Sequence, residues 1–507
     1  MNRIGILITL LFLPGWAGAG GGTVTIFHTN DLHGAFTAEP ASWRDDKAPV
    51  GGFEAIAGTI RRERANSAAS LWLDAGDFMT GTPLSDIEHG GAKGGAIVEF
   101  YNRAGLDAMT IGNHEFDQSL ENLRALIAAA EFPVLAANLS YTLGGSLFTG
   151  KAYEIFETGG IRVAVIGITT EELAGLVSAD KRDVLSIAGG AETLRALLPE
   201  VDGKSDLVVV LSHEGIDIDR VLAREVEGID VIVGGHSHTR LPEGEWVNGV
   251  LILQAGSEGR YIGRADLVVE NDALASADCR LVPALAGEAE PDGAIRELVR
   301  GYEKKIDEQF GAVIAEAPRP LGRCYYCESD LGNWLTDRMR EFAGTDIALL
   351  NSGGIRQDMD AGPVTKLDIQ GILPFTNMLC RFTATGEEIA AIALHNARAE
   401  ATEDHGILQI SGLTYSWYRQ GDDVKTHVVL VGGRLLDPKA TYSVASVDFV
   451  ARSQADKYLG ITPETVEDLG ATLTSVIMKE AERLGRVELE PDDRVQRVEI
   501  DYAAPRR

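Results

Sequence analysis

A chain of 507 residues, 45% hydrophobic and 24% charged, is too long for one core and has the composition of a globular protein of two or three domains. Its 46 basic and 76 acidic residues leave a net charge of −30, which excludes a nucleic-acid polymer as partner, because that binding needs basic surface. A small phosphate ester stays open, since a bound cation reverses the field at a site.

Residues 1–19 carry Arg3, an apolar run from Ile4 to Trp16, and Ala17-Gly18-Ala19 as a small-x-small cleavage site, the pattern of a signal peptide. The run falls short of the roughly 20 residues that span a bilayer. No cysteine lies near the cleavage site and no hydrophobic tail ends the sequence, so the expectation is an exported protein, periplasmic or extracellular, without a stable membrane anchor.

From residue 20 to about 290, short apolar runs alternate with helical patterns such as Gly52–Ala65, Gly95–Arg103 and Ser119–Ala130. This is an α/β pattern with strands buried on both faces. Five runs end on metal-ligating or acid–base residues. Val24–Phe27 leads to Asp31-Leu32-His33, and Leu71–Leu73 to Gly76-Asp77. Ala108–Ile111 leads to Gly112-Asn113-His114-Glu115-Phe116-Asp117. Leu207–Leu211 leads to His213-Glu214, and Val231–Val233 to Gly235-His236-Ser237-His238. In α/β sheets, sites form beyond the carboxyl ends of the strands.

Asp31, His33, Asp77, Asn113, His213, His236 and His238 offer mixed oxygen and nitrogen ligands for two divalent ions. Such ligation suits Mn, Zn, Co or Fe, and a bridging carboxylate would set the ions at the spacing used for in-line displacement at phosphorus. His114 is the expected catalytic group, with Asp117 accepting its other ring N–H.

Residues 291–315 read as a linker helix, with Ile295, Leu298, Val299, Tyr302, Ile306 and Phe310 at helical spacing; a helix belonging to one domain fits the same pattern. Residues 316–507 form the second domain. Cys324 and Cys327 can close a small disulfide in an oxidising compartment. Strand Ile347–Leu350 ends in Asn351-Ser352-Gly353-Gly354-Ile355-Arg356, where Arg356 can grip a phosphate with a two-pronged fork. Phe449 can stack on a base.

The five strand-end motifs together resemble the motif series of the calcineurin-like metallophosphoesterases, and more narrowly the exported 5′-nucleotidases. Asn351–Arg356 and Leu373–Asn377 resemble the substrate-binding domain of the same family. The resemblance implies an N-terminal metallophosphoesterase α/β sandwich joined to an α+β C-terminal substrate-binding domain. It implies two divalent ions, one held by Asp31, His33, Asp77 and His238, the other by Asp77, Asn113, His213 and His236. Many relatives carry Gln or Asn where His238 stands.

The implied reaction is release of phosphate from nucleoside monophosphates by attack of a metal-activated water. Asn377, Arg398 and Asp456 join Arg356 and Phe449 as candidate substrate contacts. The family clamps the base between two aromatic rings. Phe449 matches the second, but Ile407-Leu408 stands where the first belongs, and Arg452–Asp456 replaces a Gly-Gly-Asp-Gly loop. Rival readings are a hydrolase of cyclic nucleotides, nucleotide sugars or sulfur esters, and a non-catalytic protein that binds metals or nucleotides.

Overall fold

The structure, a computed structural model, describes residues 21–499 apart from 42, 43, 45, 178, 289–291, 376, 404, 422, 490 and 491, so the expected signal peptide lies outside the described residues. The N-terminal half is a sandwich of two six-stranded sheets. In the first, Gly22–Thr29, Ser70–Asp74, Ala108–Thr110 and Val134–Leu135 run parallel, and the hairpin Tyr261–Val269 with Leu274–Pro283 closes one edge. In the second, Ile161–Ile168, Leu207–Ser212, Val231–Gly234 and Val250–Leu253 run parallel, with antiparallel strands Tyr153–Thr158 and Glu245–Val247 outside them.

The strands alternate which face they bury, as a period of two requires. Val163, Val165, Val209 and Leu211 meet Val24, Ile26, Leu71 and Leu73 between the sheets. Ala164, Ile166, Val208 and Val210 point outward, under helices Gly190–Val201 and Ile216–Glu225. Phe27 and Trp72 point the other way, under helices Phe53–Arg64 and Gly95–Ala104. Helix, sheet, sheet, helix is the resulting order of layers, and it explains the near-continuous apolar runs.

On the second sheet's outer layer, helix Ile216–Glu225 buries a carboxylate, Asp219, with only the Ser212 hydroxyl to offset its loss of water. A Cβ at Gly234 would lie 2.3 Å from its Oδ2. Burial pushes the Asp219 pKa from 3.8 up to about 8. The folded value lies above the unfolded one, so its stabilising contribution is full below the unfolded pKa and is lost as pH rises through the folded pKa. Asp219→Asn is therefore expected to raise stability little at pH 4 and most near pH 8, by a few kcal/mol at the high-pH end, read by scanning calorimetry. An equal gain at both pH values would contradict a buried neutral acid.

Helix Gly293–Phe310 places Ile295, Leu298, Val299, Tyr302 and Ile306 in the core of the N-terminal half, so its apolar stripe serves that half while its end leads to the next. The C-terminal half has a single core around a five-stranded mixed sheet in the order Leu408–Ser411, Ile347–Asn351, Thr441–Val447, Met378–Thr385, Val466–Thr472. Beside it lies a four-stranded sheet containing the hairpin Leu413–Gln420 and Asp423–Val431. Helices Asp330–Ala343, Gly386–Thr402 and Leu473–Leu484 complete this α+β half. Ser329 and Thr385 cap the first two by accepting from backbone N–H groups of the opening turn. Among the described residues no helix is long and apolar enough to cross a membrane.

Candidate metal and catalytic centre

The strand ends converge as side chains with unsatisfied lone pairs. His33 Nδ1 donates to Thr80 O at 2.8 Å, which turns Nε2 inward. There it faces His238 Nε2 at 3.1 Å, and His238 Nε2 lies 3.4 Å from Asp31 Oδ1. His213 Nδ1 donates to Ala75 O at 2.6 Å and likewise presents Nε2, which lies 3.1 Å from Asp77 Oδ2 without the alignment of a hydrogen bond. A backbone acceptor behind each ring sets the tautomer and aims the free nitrogen, as it does for metal-bound histidines.

Three groups of potential ligands result: Asp31, His33 and His238; His33, Asp77 and His114; and Asp77, His213 and His236. Within each, the ligand atoms all lie within 4.8 Å of one another, and Asp77 belongs to two groups. Asn113 Oδ1 and His213 Nε2 are buried with no hydrogen-bond partner. Orphaned acceptors and facing ring nitrogens are costly unless a cation fills the space between them, so this donor set fits divalent ions.

Backbone strain marks the same residues. Twelve described non-glycine residues have φ in the left-handed region, and Asp31, His33, Asp77, His236 and His238 are five of them. Each such residue costs of order 1 kcal/mol and persists where the surroundings over-determine it. The concentration of these five residues in three strand-end turns is the kind of outlier that points to function rather than to loop geometry alone.

Glu115 holds the turns in place. Its buried carboxylate accepts from the backbone N–H groups of Asp77 at 3.0 Å, Met79 at 3.1 Å and Gly112 at 2.7 Å. It ties the second strand's end to the third. Sequence reasoning assigned it no role; its place between His114 and Phe116 was the available signal.

His114 Nδ1 donates to Asp117 Oδ2 at 2.7 Å, while Nε2 lies 3.9 Å from Asp77 Oδ2. Burial opposes charge on the ring, but the Asp117 and Asp77 carboxylates outweigh it and lift the His114 pKa to about 9. Cations bound at Asp77 would cancel that residue's share, leaving Asp117 as the group that keeps the imidazole protonated.

The C-terminal half reaches this centre. The Phe375 ring stacks on His114 with centroids 5.6 Å apart, and the Arg356 guanidinium lies 5.8 Å from the centre of that same ring. Burial lowers the Arg356 pKa, and the Glu258 and Asp77 carboxylates act against that lowering. Polar contacts also cross the interface: Gln370 Nε2 donates to Asp86 Oδ2 at 3.0 Å, and Gln454 Nε2 to Gly175 O at 3.0 Å. Phe375 is a second residue that sequence reasoning left without a role.

The other candidate substrate contacts divide. Phe449 is half-buried, with Tyr458 at 6.1 Å between ring centroids. Asn377 opens strand Met378–Thr385; its carbonyl accepts from Leu473 N, and its side chain makes no hydrogen bond among the described residues. Arg398 stands away from the centre, on helix Gly386–Thr402, 3.7 Å from Asp423. Asp456 is exposed and accepts from Thr462 Oγ1 at 3.1 Å. Neither Arg398 nor Asp456 is brought to the cluster. Cys324 and Cys327 are joined as a disulfide with Cα atoms 5.3 Å apart.

Residues 24–240 match the model of the calcineurin-like phosphoesterases, and residues 311–458 that of the 5′-nucleotidase C-terminal domain. A 5′-nucleotidase of Vibrio vulnificus (strain CMCP6) is 30% identical over 486 residues, 84% of each chain. Protein UshA of Yersinia enterocolitica is 27% identical over 507 residues, 88% of this chain and 89% of its own. The solved structure of a 5′-nucleotidase precursor from Thermus thermophilus superposes with a TM-score of 0.81 at 30% identity, covering 94% of this chain and 99% of that one.

Proposed function

Because the chain belongs to the 5′-nucleotidase family of metal-dependent phosphoester hydrolases, we propose that it is an exported 5′-nucleotidase releasing phosphate from nucleoside monophosphates with two divalent ions. The observation that carries this reading is the convergence on Asp77 of two ligand groups, one with His213 and His236 and the other with His33 and His114.

Asp31, His33, Asp77 and His238 would hold one ion, and Asp77, Asn113, His213 and His236 the other. Such ions supply positive charge for the phosphoryl oxygens and acidity for the attacking water. Arg356, on its glycine loop, binds the phosphate from the C-terminal half and fixes its orientation. His114 Nε2, kept protonated by Asp117, donates toward the phosphoryl or leaving oxygen as charge builds there. Phe375 covers one face of the His114 ring and keeps water from it. Phe449 offers a face to the base.

Export is supported by the sequence of residues 1–19 and by the Cys324–Cys327 disulfide, a bond that persists in oxidising compartments. The proposal is tested on purified protein by chelation and by add-back of Mn or Co. Phosphate release from mononucleotides, cyclic nucleotides and sugar nucleotides is then compared. Chelation should abolish release, add-back should restore it, and mononucleotides should lead. Activity indifferent to chelators would remove the metals from the reaction, and a preference for diesters would remove the 5′-nucleotidase assignment.

A further inference from the structure

Five strand ends carry the candidate ligands; a sixth, which carries none, grips two of the ligand turns from behind. Strand Val250–Leu253 of the second sheet leads into Gln254-Ala255-Gly256. Gln254 is fully buried, and its side-chain amide serves one loop. Its Nε2 donates to Gly235 O at 3.0 Å, and its Oε1 accepts from Ser237 Oγ at 3.0 Å and from the backbone N–H of Thr239. These three partners alternate with His236 and His238, so each neighbour of the two histidines is tied to a single side chain. The backbone adds to the grip. The Gln254 carbonyl accepts from Leu241 N at 3.0 Å, and Gly256 N donates to Thr239 O at 3.0 Å.

The loop depends on such bonds. His236 and His238 have φ of 69° and 52°. Two left-handed residues with side chains, one on either side of Ser237, relax unless their surroundings hold them. Gly234 makes room for the amide, since a Cβ there would lie 3.0 Å from Gln254 Nε2.

The same strand end reaches the first sheet. Asn30, directly before Asp31, is 2% exposed. Its Oδ1 accepts from Ala255 N at 2.9 Å, and its Nδ2 donates to Gly256 O and, at 2.6 Å, to Asp31 Oδ2. Glu258 N donates to Asp31 O at 2.7 Å. Asp31 in turn accepts from His236 N at 3.1 Å. Residues 254–258 thereby fasten together ligand turns that come from different sheets.

We propose that Gln254 is a positioning residue that fixes the His236–His238 turn against Asp31 and so sets the affinity of the centre for divalent ions. The proposal rests on the two-ion reading above and adds to it the residue that holds these ligands ready. A turn already in its binding geometry loses little freedom when a cation arrives, so its fixing is felt as affinity. With the amide gone, binding must re-order the turn each time.

The test replaces Gln254 by methionine, which has a similar length and no amide. Mn affinity is measured on the purified metal-free protein by competition with a chelator, beside the melting temperature of that metal-free form and phosphate release from adenosine 5′-monophosphate. Gln254→Met is expected to weaken Mn binding roughly 10–100-fold. Phosphate release should fall at limiting Mn and return to near wild type at saturating Mn. A residue that served packing alone would lower the melting temperature and leave Mn affinity at the wild-type value; that result overturns the proposal, as does a loss of activity that excess Mn fails to reverse. Ser237→Ala removes one of the three bonds from an exposed position and should weaken Mn binding in the same direction by a smaller factor. It decides the question if Gln254→Met does not fold, and wild-type Mn affinity in Ser237→Ala would then overturn the proposal. Two ions bound by the wild type, with affinity unmoved in the variants, leave the two-ion reading standing. A wild type that binds no Mn overturns that reading and the proposal with it.

Discussion

Replacing His114 by alanine is expected to lower turnover by roughly 10²–10⁴-fold with the metal content of the protein nearly unchanged. That loss equals roughly 3–5 kcal/mol of transition-state stabilisation. The two halves of the expectation come from two features. The ring's Nδ1 is taken by Asp117 at 2.7 Å, so only Nε2 can serve the substrate. The backbone N–H of His114 already donates to Asp77 Oδ1 at 2.8 Å, and alanine keeps that bond. The ligand carboxylate therefore stays in place while the proton donor goes. Asp117→Asn should give a smaller loss in the same direction, because the ring remains but its charge is less well held. Elemental analysis beside single-turnover phosphate release separates chemistry from metal loss. Normal single-turnover rates in a fully loaded His114→Ala protein would take the residue out of the reaction.

The second large effect is expected at a residue with no side chain. A methyl group at Gly112 would fall 2.2 Å from Asp77 Oδ1 and 2.6 Å from His213 Nε2. Both atoms belong to the proposed ligand set, and neither has room to move away, because Asp77 and His213 are buried. Gly112→Ala should therefore displace the shared carboxylate by about 1 Å and cut activity by about 10²-fold or more. Bound metal should fall as well, with circular dichroism unchanged. The backbone at Gly112 is not left-handed, so the fold itself tolerates a Cβ. A loaded, active Gly112→Ala protein would show that Asp77 does not sit where both ions need it.

Much of the centre was readable because its signal is local. A polar residue directly after a buried apolar run marks a strand end, and five such ends carry Asp31, His33, Asp77, Asn113, His114, His213, His236 and His238. The sandwich, by contrast, depends on distant pairings. Strand Gly22–Thr29 lies between Ser70–Asp74 and Tyr261–Val269, some 240 residues later in the chain at Thr25 and Asp266. The hairpin that follows escapes notice because Leu274–Pro283 is largely half-buried or exposed and carries no continuous apolar run.

The substrate side was less legible for the same physical reason. Reading Arg398 as a phosphate ligand rests on its neighbours His395 and Asn396, but helix phase carries it toward Asp423. Asn396 turns inward, where Nδ2 donates to Leu408 O at 2.9 Å. Phe375 and Tyr325 owe their surroundings to what folds against them, His114 in one case and Gly353 and Gly406 in the other. Nothing within a few residues of either reports those neighbours.

The stacking of Phe375 on His114 bears on how such proteins can be recombined. One half of the chain holds His114, the proposed proton donor, and the other supplies the ring that packs on it. The halves are thus not interchangeable cassettes. A chimera joining this N-terminal half to a relative's C-terminal half must bring a flat, apolar side chain to that position, or its donor histidine will be wetted and slow.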